Sequence, residues 1–160
     1  MALADRIVDY ALAAARAHAK GSRSIILGKA HPQSFDLATG GYCARFVRQV
    51  VECASDEIPF AWDYARANAR LMERALRAAG FYVGRTLDNA APGDVVGINK
   101  PPWVRVGHIA IYVGDVDGEP MIAENTSVAG RGKPRVKGTK LTPWEVVAKR
   151  VTGIYRLGER

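Results

Sequence analysis

Cysteine and histidine are scarce in this chain, with two of the former and three of the latter among 160 residues. Two thiols cannot make the disulfide framework of a small secreted scaffold. Cys43 and Cys53 are moreover separated by roughly 15 Å if their segment is helical, well beyond disulfide reach. His18, His31 and His108 belong to no HExxH motif and CxxC is absent, so neither a metal nor a cofactor is expected. The phosphate-cradling GxxxxGK[ST] and GxGxxG loops are missing, as is the GxSxG of serine hydrolases. No apolar run approaches eighteen uncharged residues, which excludes a transmembrane helix. Acidic residues are also in deficit. Sixteen Asp and Glu against 23 Lys and Arg leave a net charge of +7 and a pI near 9.7, the signature of an anionic partner. Aromatics total only 8% and do not interleave with the basic segment, and no helix-turn-helix or zinc-finger pattern occurs. A nucleic-acid partner is therefore not expected.

What remains is ordinary globular composition, 48% apolar and 24% charged, in 17.3 kDa of chain. That is one domain with one hydrophobic core, expected as a monomer. The opening MALADRIVDY sets Asp5, Arg6 and Asp9 where a signal peptide needs its apolar centre, so no cleaved export signal is read.

Helical periodicity dominates the first half. Leu3, Ile7, Tyr10, Ala11, Ala14 and Ala15 form an apolar stripe over Leu3 to Ala19, with Gly21 as a stop. A Gly, Pro and Ser-bearing loop is expected from Gly28 to Gly41. CARFVRQVVECA then predicts a second helix, with Cys43, Phe46, Val47, Val50, Val51 and Ala54 on one face. A third is expected over Ala61 to Ala79. The second half has a different period: FYVGRTL, GDVVGI, GHIAIYVG, EPMIAENT and VTGIYRL read as strands separated by turns. Thr142-Pro143-Trp144-Glu145 reads as a capping box opening a short helix. Residues 129–140 hold Arg131, Lys133, Arg135, Lys137 and Lys140 without an acidic residue, and read as a basic loop, either a solvated connection or a rim facing a polyanion. Helices followed by sequential strands predict an α+β domain with a mainly antiparallel sheet.

Cys43 is the candidate nucleophile. It opens the second helix just after Gly40-Gly41, where the helix dipole favours a thiolate. A thiolate needs a proton acceptor, and His108 begins a strand. Glu124 and Asn125, on the next strand, are one hairpin away, and either could orient the imidazole; only one of them can face it. Cys53 lacks these features and reads as structural.

Together these segments resemble the NlpC-type cell-wall peptidases and the related CHAP amidases, papain-like cysteine hydrolases of peptidoglycan. The resemblance covers residues 38–157 and leaves 1–37 as an N-terminal helix and loop extension. It rests on Gly40-Gly41-Tyr42-Cys43-Ala44-Arg45-Phe46-Val47, on Ala91-Pro92-Gly93-Asp94-Val95-Val96, and on Gly107-His108-Ile109-Ala110-Ile111-Tyr112-Val113-Gly114. It implies Cys43 as nucleophile, His108 as base and then acid, and Glu124 ahead of Asn125 as orienter. Tyr42 replaces the Asp that often precedes the nucleophile, and with Arg131, Lys133, Arg135 and Lys137 it is expected to touch substrate. The implied partner is bacterial peptidoglycan, reached from the cytoplasm by lysis, as with phage lysins, or by a dedicated export route. The implied reaction is cleavage of a stem-peptide bond or of the lactyl-alanine amide. A non-catalytic or acyl-transferring member of the same fold, or a basic polyanion-binding module, is the alternative.

Overall fold

The computed structural model describes residues 1–55, 68–99, 107–129 and 135–157, the side chains of 128, 129, 135 and 136 excepted. Four helices and eight strands make an α+β arrangement among these residues. A two-stranded hairpin, β1 (Ser24–Leu27) with β2 (Gln33–Asp36), stands apart from a six-stranded antiparallel sheet. The strands of that sheet are β3 (Tyr82–Gly84), β4 (Val95–Ile98), β5 (His108–Val116), β6 (Glu119–Ala129), β7 (Arg135–Pro143) and β8 (Val151–Tyr155). Their spatial order is β3-β8-β4-β5-β6-β7.

Both faces of the sheet are covered, which explains why β4 is buried at all four positions. Strand alternation divides β5 cleanly. Ile109, Ile111 and Val113 join one core with α1 (Leu3–Ala19), α2 (Cys43–Ala54) and α3 (Ala69–Ala78). Ala110 and Tyr112 join a second core on the other face with Trp144 and Val147 of α4 (Trp144–Val147). Tyr112 and Trp144 meet edge to face at 5.6 Å. In α1, Ile7, Ala11, Ala14 and Ala15 are buried, and α2 buries Phe46, Val47, Val50, Val51 and Ala54.

Four sequence expectations are corrected. The stretch 28–41 is not all loop, because Gln33–Asp36 pairs with Ser24–Leu27 across the turn. The third helix starts later than expected. Asn68 is fully extended (φ −165°, ψ 172°) and its side chain caps the Leu71 N–H at 2.9 Å, so the helix begins at Ala69; residues 61–67 lie outside the described residues. Thr142 does not cap α4, since β7 runs through Pro143 and Thr142 pairs with Ile122. Finally, residues 135–140 of the basic stretch are strand, while 130–134 lie outside the described residues. From Met121↔Pro143 to Ala129↔Arg135 the β6–β7 register is continuous, so Arg135, Lys137 and Lys140 sit on an edge strand where charge is tolerated.

The Pro-Gly-Asp turn before β4 has a structural purpose. Asp94 is 2% exposed, accepts the Ala91 N–H at 2.8 Å, and takes Nε and Nη2 of Arg156 at 3.1 and 2.9 Å. It closes its own turn and ties β4 to the chain just after β8. Removing the carboxylate leaves the Ala91 N–H without its acceptor and takes two bonds from a partly exposed guanidinium that keeps the Asn89 carbonyl, so Asp94→Ala is expected to lower stability by about 1–3 kcal/mol. Urea unfolding checks this, and a change under about 0.5 kcal/mol would remove the pair as a stabilising feature.

Candidate active site

The approach to α2 is held against β6. A Cβ added to Gly40 would collide with the Thr126 carbonyl oxygen, so no side chain fits between this loop and the strand. Gly41 follows at φ +86°, a left-handed turn that Gly adopts without strain. Asp36 accepts the Thr39 N–H at 3.1 Å and is held below its ordinary pKa by hydrogen bonds to Thr39. Tyr42 then occupies the cap position, its carbonyl accepting the first helical bond from Phe46 N–H at 2.9 Å. Cys43 is the first residue of α2 and half-buried.

His108 is the first residue of β5 and 5% exposed. Its Nε2 lies 2.9 Å from Glu124 Oε1, and Glu124 is itself 6% exposed. The other ring nitrogen, Nδ1, is buried and makes no hydrogen bond of good distance and angle. Cys43 nevertheless acts on the ring, both as a hydrogen-bonding group and through charge. The thiol is therefore near enough to act on the imidazole without a hydrogen bond of standard geometry, a loose contact of the kind unliganded sites often show. Burial works against the charged imidazole, yet Cys43 and Glu124 together leave the His108 pKa raised. Burial likewise works against the Glu124 carboxylate, and the pairing with His108, helped by Thr142 and Lys140, leaves its pKa lowered. Each partner favours the charged form of the other.

The two candidate orienters have separate partners. Glu124 bonds the imidazole, whereas Asn125 accepts the Tyr42 N–H at 2.9 Å and donates to the Thr39 carbonyl at 2.8 Å and to Thr139 Oγ1 at 3.3 Å. Tyr42 is 46% exposed, with the Arg45 guanidinium 5.5 Å from its ring centroid. Lys137 is exposed on β7, away from the loop expected there. Arg131 and Lys133 lie outside the described residues, as does the side chain of Arg135. Cys53 donates to the Leu27 carbonyl at 3.4 Å, and burial pushes its thiol up to about 11. Neither cysteine is in a disulfide.

Sequence reasoning did not anticipate the surroundings of His108. A cleft of about 200 Å³ opens beside it, with Arg70, Glu73, Asn99 and Thr152 among its lining. Glu73 accepts the Thr152 hydroxyl at 2.6 and 2.9 Å and lies over Gly97, where a Cβ would displace it. Arg70 and Glu73 fall within the helix expected over Ala61 to Ala79, but that expectation does not say which part of the sheet the helix covers, and nothing in it points to Asn99 or Thr152. Thr139 was missed because its strand was read as a loop. Among the described residues, no group of three His, Cys, Asp or Glu is placed to hold a metal ion. No protein-family model, curated protein or solved structure matches this chain.

The coupling has a defined pH signature. The raised His108 pKa contributes stability that is complete below about 6.5 and is lost as pH rises through the folded value. The lowered Glu124 pKa contributes stability present above about 4.5 and lost as pH falls through its folded value. The advantage of wild type over Glu124→Gln should therefore peak between pH 4.5 and 6.5. Urea midpoints across pH check this. An NMR titration of the His108 ring should give a wild-type midpoint above 6.5 that falls in Glu124→Gln; an unchanged midpoint would show that Glu124 does not govern the ring.

Proposed function

We propose that this chain is a papain-like cysteine hydrolase that cleaves peptide or amide bonds in bacterial peptidoglycan, of the NlpC-type and CHAP-like group its motifs resemble. The observation that carries the proposal is the buried imidazole of His108, hydrogen-bonded to Glu124 on one nitrogen and coupled to the Cys43 thiol. A thiol at the first turn of an amphipathic helix, beside an imidazole oriented by a carboxylate, is the arrangement that nucleophilic acyl transfer needs.

In the proposed mechanism the proton of the Cys43 thiol resides on His108, giving thiolate and imidazolium. Sulfur attacks the carbonyl carbon, and the oxyanion develops at the N-terminal end of α2, where the Cys43 backbone N–H and the helix dipole favour negative charge. As the C–N bond breaks, His108 gives its proton to the departing amine, leaving a thioester. Water then loses a proton to His108 as its oxygen attacks the thioester carbonyl. The C–S bond breaks, releasing the carboxylic acid and restoring the ion pair. Glu124 keeps the ring in the useful orientation throughout and stabilises its charged form. The cleft beside His108 offers room for substrate on that side of the ring.

The wall as substrate comes from the resemblance, and the net charge of +7 supports it because cell walls carry carboxylates and often phosphate-rich polymers. Purified peptidoglycan digested with wild type should release fragments with new amino termini, identified by mass spectrometry. Cys43→Ala should lower that release by roughly 10³-fold or more while remaining folded. Equal digestion by both proteins would remove Cys43 as the nucleophile. Neutralising Arg131, Lys133, Arg135 and Lys137 together should weaken sedimentation with walls at low salt and flatten its salt dependence, with hydrolysis of a small soluble stem peptide retained. Unchanged wall binding would leave these cations as solvated surface.

A further inference from the structure

We infer that Asn125 is a positioning residue: through its hydrogen bonds to Tyr42, Thr39 and Thr139 it fixes the start of α2 on β6, and so sets Cys43 against His108. The inference rests on the Cys43–His108 pairing proposed above and assigns Asn125 a different part from orienting the imidazole.

Three features support it. Asn125 is 1% exposed, so its polar groups must be satisfied inside the protein, and all three hydrogen bonds are made there. Two of them end on the backbone of the segment leading into the nucleophile, at the Thr39 carbonyl and the Tyr42 N–H. The third reaches Thr139 on β7, whose own N–H donates to the Leu37 carbonyl at 2.9 Å and anchors the same segment from the far side. Tyr42 immediately precedes Cys43, so its amide is the nearest backbone group to the nucleophile that this strand holds. The chemistry also selects the side chain. One acceptor and two donors are needed together, which a carboxamide supplies and an ionised carboxylate does not. Glu124 and Asn125, consecutive on β6, thus hold the two halves of one pair: Glu124 the imidazole, Asn125 the approach to the thiol.

The test follows alkylation of Cys43 by iodoacetamide in the full chain, with peptide mass spectrometry to separate it from buried Cys53, so no cell-wall substrate is involved. At pH 7, His108→Ala is expected to slow alkylation of Cys43 by about tenfold relative to wild type, which measures the pairing itself. Asn125→Ala should show most of the same loss, and all of these rates should converge within about twofold at pH 10.5, where a thiol is ionised without help. In the His108→Ala background, Asn125→Ala should have little further effect. A loss of packing alone would lower the melting temperature and leave the pH profile of wild-type shape. The inference is overturned if the Asn125→Ala profile superimposes on that of wild type, or if Asn125→Ala slows alkylation equally with and without His108. Should Asn125→Ala fail to fold, Thr139→Val removes one of its hydrogen-bond partners and is expected to give about a twofold to threefold loss by the same route; a profile identical to wild type again overturns it. If wild type and His108→Ala already behave alike, the pairing and the function built on it fall first, and this inference falls with them.

Discussion

A carboxylate and an imidazole buried side by side impose the main constraint on this molecule. Glu124 and His108 are 6% and 5% exposed, and either charge alone in such surroundings would cost several kcal/mol. Their 2.9 Å contact offsets that cost only while water is kept out and the geometry holds. The double-sided sheet meets both conditions. Three helices cover one face, and the Tyr112–Trp144 contact with α4 closes the other. The register that pairs Ile111 with Ala123 brings the beginning of β5 alongside Glu124. A less covered sheet would leave both groups hydrated and weaken the coupling that raises one pKa and lowers the other.

Register is consequently the variable to which the site is most sensitive. Successive residues of a strand point to opposite faces, so Glu124 and Asn125 reach different partners while sharing one backbone. A slip of one residue in β6 would turn the amide toward the imidazole and the carboxylate toward the Thr39 carbonyl, two acceptors facing each other. The turn between β5 and β6 and a one-residue bulge between Tyr112 and Gly114 set this register together, the bulge shifting the pairing by one before Ile111 meets Ala123. Asp117 and Gly118 form a two-residue link at φ 53° and 83° between paired Val116 and Glu119, the tight hairpin connection that fixes pairing most strongly. On the other side of β6, the unbroken pairing with β7 holds the same register along the strand.

Where hydrophobic period and chemistry agreed, the sequence could be read closely. α2 begins at Cys43 and ends at Ala54, the limits its apolar face suggested, and His108 begins its strand as the alternation of GHIAIYVG required. Glu124 and Asn125 were recognised as a pair of which one alone could face the ring; the residues themselves left the choice open, and the resemblance favoured Glu124. The misreadings share a physical origin: local composition stood in for pairing. Residues 135–140 look like a loop because Gly and Lys are poor strand formers, yet the ladder with β6 outweighs that preference. Thr142 looks like a helix cap because the residues after it fit one, yet its backbone is committed to Ile122. The extended Asn68 had no counterpart in the periodic pattern around it, although Asn is among the best capping residues.

Placing Arg135, Lys137 and Lys140 on a strand alters what their charge can do. In a loop, all five cations would form one mobile cluster facing a polymer. On β7, alternation separates Lys140 from Lys137, and Lys140 stands in register with Glu124. Its charge is one of the influences that lower the Glu124 pKa, so part of the basic excess acts inward on the candidate site. Lys137 is exposed, at the outer edge of the sheet, where a charge also discourages pairing with another chain. Lys137 and Lys140 therefore do not act on one surface. Lys140 helps keep a buried carboxylate ionised, and it is the exposed cations, Lys137 among them, that remain available to an anionic polymer.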